Sequence, residues 1–260
     1  HAKEKIGSNG DYTNTNNTIA KLTSNFNYYN PKLKKIADKW YTCLLPASSE
    51  TKMELIRNAE FIRSYINPSF QSQLPIFPFD IIKTSLIPFE KYMIVVLGGS
   101  TDKKMWNVDK FAQTALHFMD KFNVVVCGGK EENELFNRFM SFGIPDEKVI
   151  NLIGKTNLTE LISVIKYASI TLTNDTAASH ITVATHTPSV CILGGGHYGR
   201  FQPYHVENIK ESELFFLPKI AFYPMNCFGC GLICKYPLEN GKWKCINSIE
   251  KETVIKKINE

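Results

Sequence analysis

Thr171-Leu-Thr-Asn-Asp-Thr-Ala-Ala-Ser-His180, followed at 192–204 by Ile-Leu-Gly-Gly-Gly-His-Tyr-Gly-Arg-Phe-Gln-Pro-Tyr, is the stretch that decides the fold. Ile170 to Leu172 make an apolar run that enters a short polar turn, and a helix is expected beyond it. Asp175 is placed to cap that helix. Its first N–H groups and the positive end of its dipole would then face whatever lies beyond the strand tip. A phosphate suits this geometry, although a strand, a turn and an acidic helix cap also occur together with no ligand.

Working outward, the pattern alternates between short apolar runs and amphipathic stretches. Strands are expected near 92–97, 123–127, 149–152, 169–173 and 189–193, and helices near 108–121, 131–141, 158–167 and 176–185. That alternation implies an α/β fold with a Rossmann-like parallel sheet covered on both faces. Ligands in such sheets bind outside the carboxyl ends of the strands. Ser100, Lys104, Glu132 and Asp175 to His180 would all fall on that rim. Before it, a helix is expected over 49–65, ended by Ile66-Asn67-Pro68. Leu74-Pro-Ile-Phe-Pro-Phe-Asp80, with Pro88 soon after, reads as an extended connection between domains, and 8–31 has loop composition.

Asn174-Asp-Thr-Ala-Ala-Ser-His180, Ala184, Thr187-Pro188, the strand ending Leu193-Gly194, Arg200 and Pro203-Tyr204 together resemble glycosyltransferase family 9. This is the heptosyltransferase-like family that builds bacterial surface polysaccharides. Ser100-Thr-Asp-Lys-Lys-Met-Trp106 is similar to the family's Lys-x-Trp loop after the first strand of the nucleotide-binding domain. Val124 to Gly129 with Glu131-Glu132 is similar to its next strand and acidic loop, and Leu152 to Ala168 to the stretch before the signature helix. The likeness covers roughly residues 92–245. Ala177 stands where the family usually has glycine, and Gly195-Gly196-His197 replaces its Pro-Thr-Asp. At the front, the chain opens without the family's first strand and Gly-rich turn, and Glu54-Leu-Ile-Arg-Asn58 looks like a helix late in the N-terminal domain.

The resemblance implies a GT-B type architecture. Residues 1–90 would be the C-terminal remnant of the acceptor-side domain with a linker, and 91–260 the donor-binding domain with a Cys-rich tail segment. It also implies an inverting, metal-independent transfer of a heptose-like sugar from a nucleotide-diphosphate donor, ADP-linked by preference, to a lipopolysaccharide or other surface-glycan acceptor. Lys104 and the loop of Asp175, Thr176, Ala177 and His180 would hold the phosphates and donor sugar, with Ser100 supplying a hydroxyl and Glu132 holding the nucleoside or its ribose. His180 is assigned positioning rather than catalysis. No catalytic residue is assigned, because the family's catalytic carboxylate belongs to the opening of the N-terminal domain, and the fragment is expected to be inactive alone. Two other readings stay open: a non-catalytic nucleotide-sugar binding module, and another Rossmann-like nucleotide-sugar enzyme such as an epimerase.

Composition fits these readings. The 260 residues are 43% hydrophobic and 21% charged, with a net charge of +5 and no run of about 18 apolar residues. A cytoplasmic protein, possible as a peripheral partner of the inner membrane's inner face, is expected. The basic clusters Lys32 to Lys35 and Lys251 to Lys257 lack the aromatic interleaving of a nucleic-acid module. No Asp-x-Asp triplet is present, so no metal and no bound cofactor beyond the donor is indicated. Cys227, Cys230, Cys234 and Cys245 could bind zinc, pair as disulfides or stay reduced. Cys43, Cys127 and Cys191 are read as small core residues.

Overall fold

The computed structural model describes residues 3–8, 35, 38–46, 50 and 52–260. Of the expected loop over 8–31 only Ser8 is described, and it ends a strand; the rest of that loop, most of the Lys32 to Lys35 cluster and the start of the helix at Ser49 lie outside the described residues. The chain divides into two compact units: 1–73 with 196–208 and 227–233, and 74–195 with 209–226 and 234–260.

In the first unit, strands β1 (Ile6–Ser8) and β2 (Cys43–Leu45) pair in parallel. Thr42 closes their entry, its hydroxyl accepting from Lys5 N at 2.8 Å and donating to Lys5 O at 3.0 Å. Helix α1 (Glu54–Tyr65) begins five residues later than expected. It buries Ala59 and receives the returning segment 196–208: Glu54 N donates to Arg200 O at 2.8 Å, and Arg200 Nε donates to Glu54 Oε2 at 3.1 Å.

The second unit is the expected α/β fold. It runs β3 (Tyr92–Val96), α2 (Val108–Phe118), β4 (Asn123–Cys127), α3 (Asn133–Met140), β5 (Val149–Asn151), α4 (Leu158–Lys166), β6 (Ile170–Asn174), α5 (Ala177–Thr185) and β7 (Ser189–Ile192). It continues through α6 (Glu211–Leu214), β8 (Lys219–Ala221), α7 (Lys244–Asn247) and α8 (Lys251–Asn259). The six strands are all parallel, in the order β5-β4-β3-β6-β7-β8. Every residue of β3 and β6 is buried, as central strands covered on both faces require.

The crossover helices fall into two packed groups. On one side α2 packs against α3 and α8, and on the other α4 packs against α5. Tyr92, Ile94 and Val96 of β3 point into the second layer, clustering with Ile162 and Ile165 of α4 and Ala178 and Ile181 of α5. An Asn157 and Glu160 capping box starts α4, satisfying two N–H groups at once. The connection anticipated near Leu74 carries no helix or strand before β3, and from Leu74 onward it belongs to the sheet unit. Phe77, Ile81 and Phe89 pack on the core cluster, and Ser163 Oγ ties the segment to α4 by accepting from Thr84 N and donating to Ile82 O.

Four details depart from expectation. β6 runs one residue further, through Asn174, which moves the helix start so that Thr176 rather than Asp175 is the cap residue of α5. Residues 130–132 wind as a 3₁₀ turn ahead of α3. Strand β8 and helix α8 were not anticipated. Cys43 is exposed, lying on β2 of the small pair rather than in the core, whereas Cys127 and Cys191 are buried.

Candidate donor-binding rim

The chain winds outward from β3 through β4 to β5, then crosses back to β6 beside β3. The crevice between β3 and β6 is therefore the topological switch point, the place where open α/β sheets accept ligands. Asn174, the last residue of β6, is fully buried there. Its Oδ1 accepts from Trp106 N at 2.9 Å, and its Nδ2 donates to Leu97 O at 2.8 Å and Gly98 O at 3.0 Å. One carboxamide thus ties the end of β3 to the far end of the loop that follows it.

That loop carries two of the expected residues. Ser100 is exposed, and Lys104 is half-buried at the end of a short 3₁₀ turn, Asp102–Lys104. Trp106 anchors the loop's exit: its ring is fully buried edge-on to Phe111, and its Nε1 donates to Ile249 O at 2.9 Å. The turn is held from the C-terminal segment too. Trp243 N donates to Lys103 O at 2.9 Å and Lys242 Nζ to Asp102 O at 3.0 Å, while burial lowers the Lys242 pKa.

After β4 the chain repeats a double glycine, Gly128-Gly129, matching Gly98-Gly99 after β3. For the first glycine of each pair the reason lies in Glu132. Its carboxylate occupies the space that a Cβ on Gly98 or Gly128 would need, so a side chain at either strand end would displace it. Burial pushes its pKa up, and the N–H groups of Gly129 and Gly98 pull it back by donating to the carboxylate. Its Oε2 is buried with no hydrogen-bond partner. Glu132 also borders a groove of about 920 Å³ whose other walls include Gly99, Met105, Asn107, Arg138 and Lys242. Of the seven expected site residues, Glu132 alone lines this groove.

The β6 turn supplies the rest. Thr176 is the cap residue of α5 but makes no capping bond with its side chain; its hydroxyl meets that of Thr173 at 3.0 Å. The helix N-terminus is thus left without a side-chain cap, and Ala177 at its first position is exposed, so its methyl group points away from the packed core. Asp175 is half-buried. His180 lies one turn into α5, where burial lowers its pKa and Asp175 acts in the opposite sense. Asp175 and Lys104 both act on the buried Cys191 thiol, which burial pushes far up, Asp175 raising and Lys104 lowering it. The Asn174 bonds to Leu97, Gly98 and Trp106 are what hold the β3 loop beside the β6 turn.

Sequence reasoning reached the loops of this rim but missed its internal ties: Asn174, the indole of Trp106, and Lys242 with Trp243. Gly98 and Gly128, each following an apolar strand, were a readable signal for a carboxylate seated between two strand ends. No disulfide joins any of the seven cysteines, and among the described residues no group of three or more His, Cys, Asp or Glu is arranged to hold a metal ion. No described helix is long and apolar enough to cross a membrane.

A family model for glycosyltransferase family 9 (heptosyltransferase) matches residues 59–213. Two relatives from Campylobacter jejuni subsp. jejuni, of serotypes O:6 and O:2, are each named lipooligosaccharide heptosyltransferase 2. Both are 28% identical, over 159 and 154 residues, covering 60% and 58% of this chain and 46% and 44% of theirs. The chain therefore spans a little under half the length of these relatives. In fold it is similar to a family 9 glycosyl transferase from Veillonella parvula, with a TM-score of 0.63 at 14% identity over 94% of this chain and 76% of that one. It is also similar to an E. coli heptosyltransferase solved with ADP-2-deoxy-2-fluoro heptose, with a TM-score of 0.53 at 17% identity over 86% and 60%.

Proposed function

Because the chain belongs to glycosyltransferase family 9, we propose that its sheet unit holds the nucleotide-diphosphate sugar donor, ADP-linked by preference, for transfer of a heptose-like sugar to a lipopolysaccharide-type acceptor. The observation that carries this reading is Glu132: a carboxylate seated in a glycine-lined notch at the ends of β3 and β4, with one buried oxygen lacking a donor. A ribose hydroxyl is a neutral donor of the right kind to complete it.

The charge that grows on the departing diphosphate needs stabilising as the glycosidic bond breaks. Lys104 supplies a full cation, Ser100 a hydroxyl, and the uncapped N-terminus of α5 at Thr176 and Ala177 supplies oriented N–H groups and dipole. These donors can carry that charge without a metal, and the resemblance to the family implies that the transfer is metal-independent and inverting. Asp175 accepts a sugar hydroxyl, and His180, held towards its neutral form, positions the turn beside it. The general base that takes the acceptor's proton lies outside this set of residues. In this reading residues 1–90 belong to the acceptor-side domain and linker, and the protein works in the cytoplasm at the inner face of the inner membrane.

Calorimetry of this chain against ADP, UDP and GDP tests the reading. ADP is expected to bind, and to bind most tightly. Absence of binding to all three would reject the donor site.

A further inference from the structure

We propose that Asn174 is a positioning residue for donor binding, fixing the loop from Gly98 to Met105 against the β6 turn; the proposal rests on the donor-site reading above. Asn174 is fully buried, and the three hydrogen bonds of its side chain go to the backbone of the β3 end and its loop.

The geometry explains why an asparagine is needed there. The carbonyls of Leu97 and Gly98 require two donors, and the N–H of Trp106 requires an acceptor, within one short side chain. A carboxamide provides both at once, while aspartate offers no donor when ionised and leucine offers neither. Glutamine would add a methylene to a site with no exposed surface.

The contacts also join two ligand-facing loops through one residue. Gly98 gives its C=O to Asn174 and its N–H to the Glu132 carboxylate. Eight residues on, Trp106 N closes the loop back onto the same amide. The position of Lys104 between these fixed ends, and the seat of Glu132, therefore both depend on Asn174. Asp175 follows it directly in the chain, so the same residue sets where the β6 turn begins.

The test compares Asn174→Asp, which keeps the shape and removes the donors, with Asn174→Ser, which keeps one donor. Two readouts are needed: hydrogen exchange by residue, and the ratio of ADP to adenosine affinity by calorimetry. For a positioning role, the amides of Gly98 to Trp106 should lose at least tenfold more protection than those of β4 and α4. The preference for ADP over adenosine should fall at least fivefold in Asn174→Asp and less in Asn174→Ser. A merely structural role would lower the melting temperature and leave that preference unchanged, which overturns the proposal. Failure of both variants to fold would do the same, by assigning Asn174 to the sheet core. If the unmodified chain binds no nucleotide, the donor-site reading falls by itself. The exchange data then decide: loss confined to the loop supports Asn174 as its positioning residue, and loss spread through the sheet overturns it.

Discussion

Glu132 and Glu207 are both carboxylates that accept from backbone N–H groups, and they are treated in opposite ways. Glu207, beside α1 in the first unit, is saturated. Its Oε2 accepts from Arg63 Nη1 at 2.9 Å, Ser72 N at 2.9 Å and Ser72 Oγ at 3.1 Å, and the Arg63 bond followed by the Ser72 N–H holds its pKa down to about 2. Glu132, on the sheet rim, has no cationic partner among the causes of its shift, keeps one oxygen unpaired and is pushed up by burial. The first arrangement stabilises a fold. The second leaves a buried acceptor unsatisfied, a cost that makes physical sense where a ligand completes it.

The largest effects should come from removing the unsatisfied carboxylate or its seat. Glu132→Ala deletes a hydrogen bond to a charged group, an interaction of about 1.5–3 kcal/mol, so ADP affinity should drop roughly 10- to 150-fold. Adenosine should lose as much, because the ribose is common to both. Gly98→Ala should match it, since the new methyl group displaces only the flexible end of Glu132 and the fold is spared. Native ADP affinity in a folded Gly98→Ala protein would break the comparison.

Lys104→Ala should weaken ADP by a similar factor of about 10 to 150, yet spare adenosine, which has no phosphates. Equal losses for both ligands would show that Lys104 acts through the fold of its turn. Asp175→Asn should have a smaller consequence. Since Asp175 is not the cap residue of α5, the melting temperature should hold, while affinity for an ADP-linked heptose relative to ADP falls about tenfold, or ~1.4 kcal/mol.

The smallest effect belongs to the saturated carboxylate. Glu207 and Arg63 are partly solvent-exposed, so Glu207→Gln should cost only about 0.5 kcal/mol, roughly 1–2 °C in melting temperature. The sign with pH is the sharper test. A depressed folded pKa means that Glu207's contribution is complete above about pH 4.5 and is lost as the pH falls towards about 2. A raised folded pKa means the reverse for Glu132: its contribution is complete below about pH 4.5 and is lost as the pH rises through the folded value. Differences in melting temperature between the unmodified chain and Glu207→Gln, and between it and Glu132→Gln, should therefore slope in opposite directions across acid pH. Parallel slopes would show that the two carboxylates are not differently built.

The alternating βα units were legible because each strand from β3 to β7 is a compact apolar run bounded by turn residues. β8 was not: Lys219-Ile-Ala221 is three residues long, and its place beside β7 comes from tertiary pairing rather than from any periodicity of its own. The loops of the rim were legible through position and chemistry, but the ties between them were not. Asn174 lies at the polar end of an apolar strand, and nothing local tells that its partners are Leu97, Gly98 and Trp106, some seventy residues away. The misplacement of the α5 cap by one residue has the same origin. Pairing with β7 carries β6 on through Asn174, against Ile192, so the helix opens later than a reading of Asp175 as a cap would have it.

Trp106 gives the molecule an optical gauge at its rim. The chain has three tryptophans: Trp106 is fully enclosed with its indole N–H bonded, Trp243 is partly covered, and Trp40 is 72% exposed. Emission from Trp106 should therefore be blue and shielded from iodide, against a red, readily quenched signal from Trp40. Because the Trp106 amide is also the closing contact of the Lys104 loop, any loosening of that loop should register as a colour change in the native protein, with no label attached.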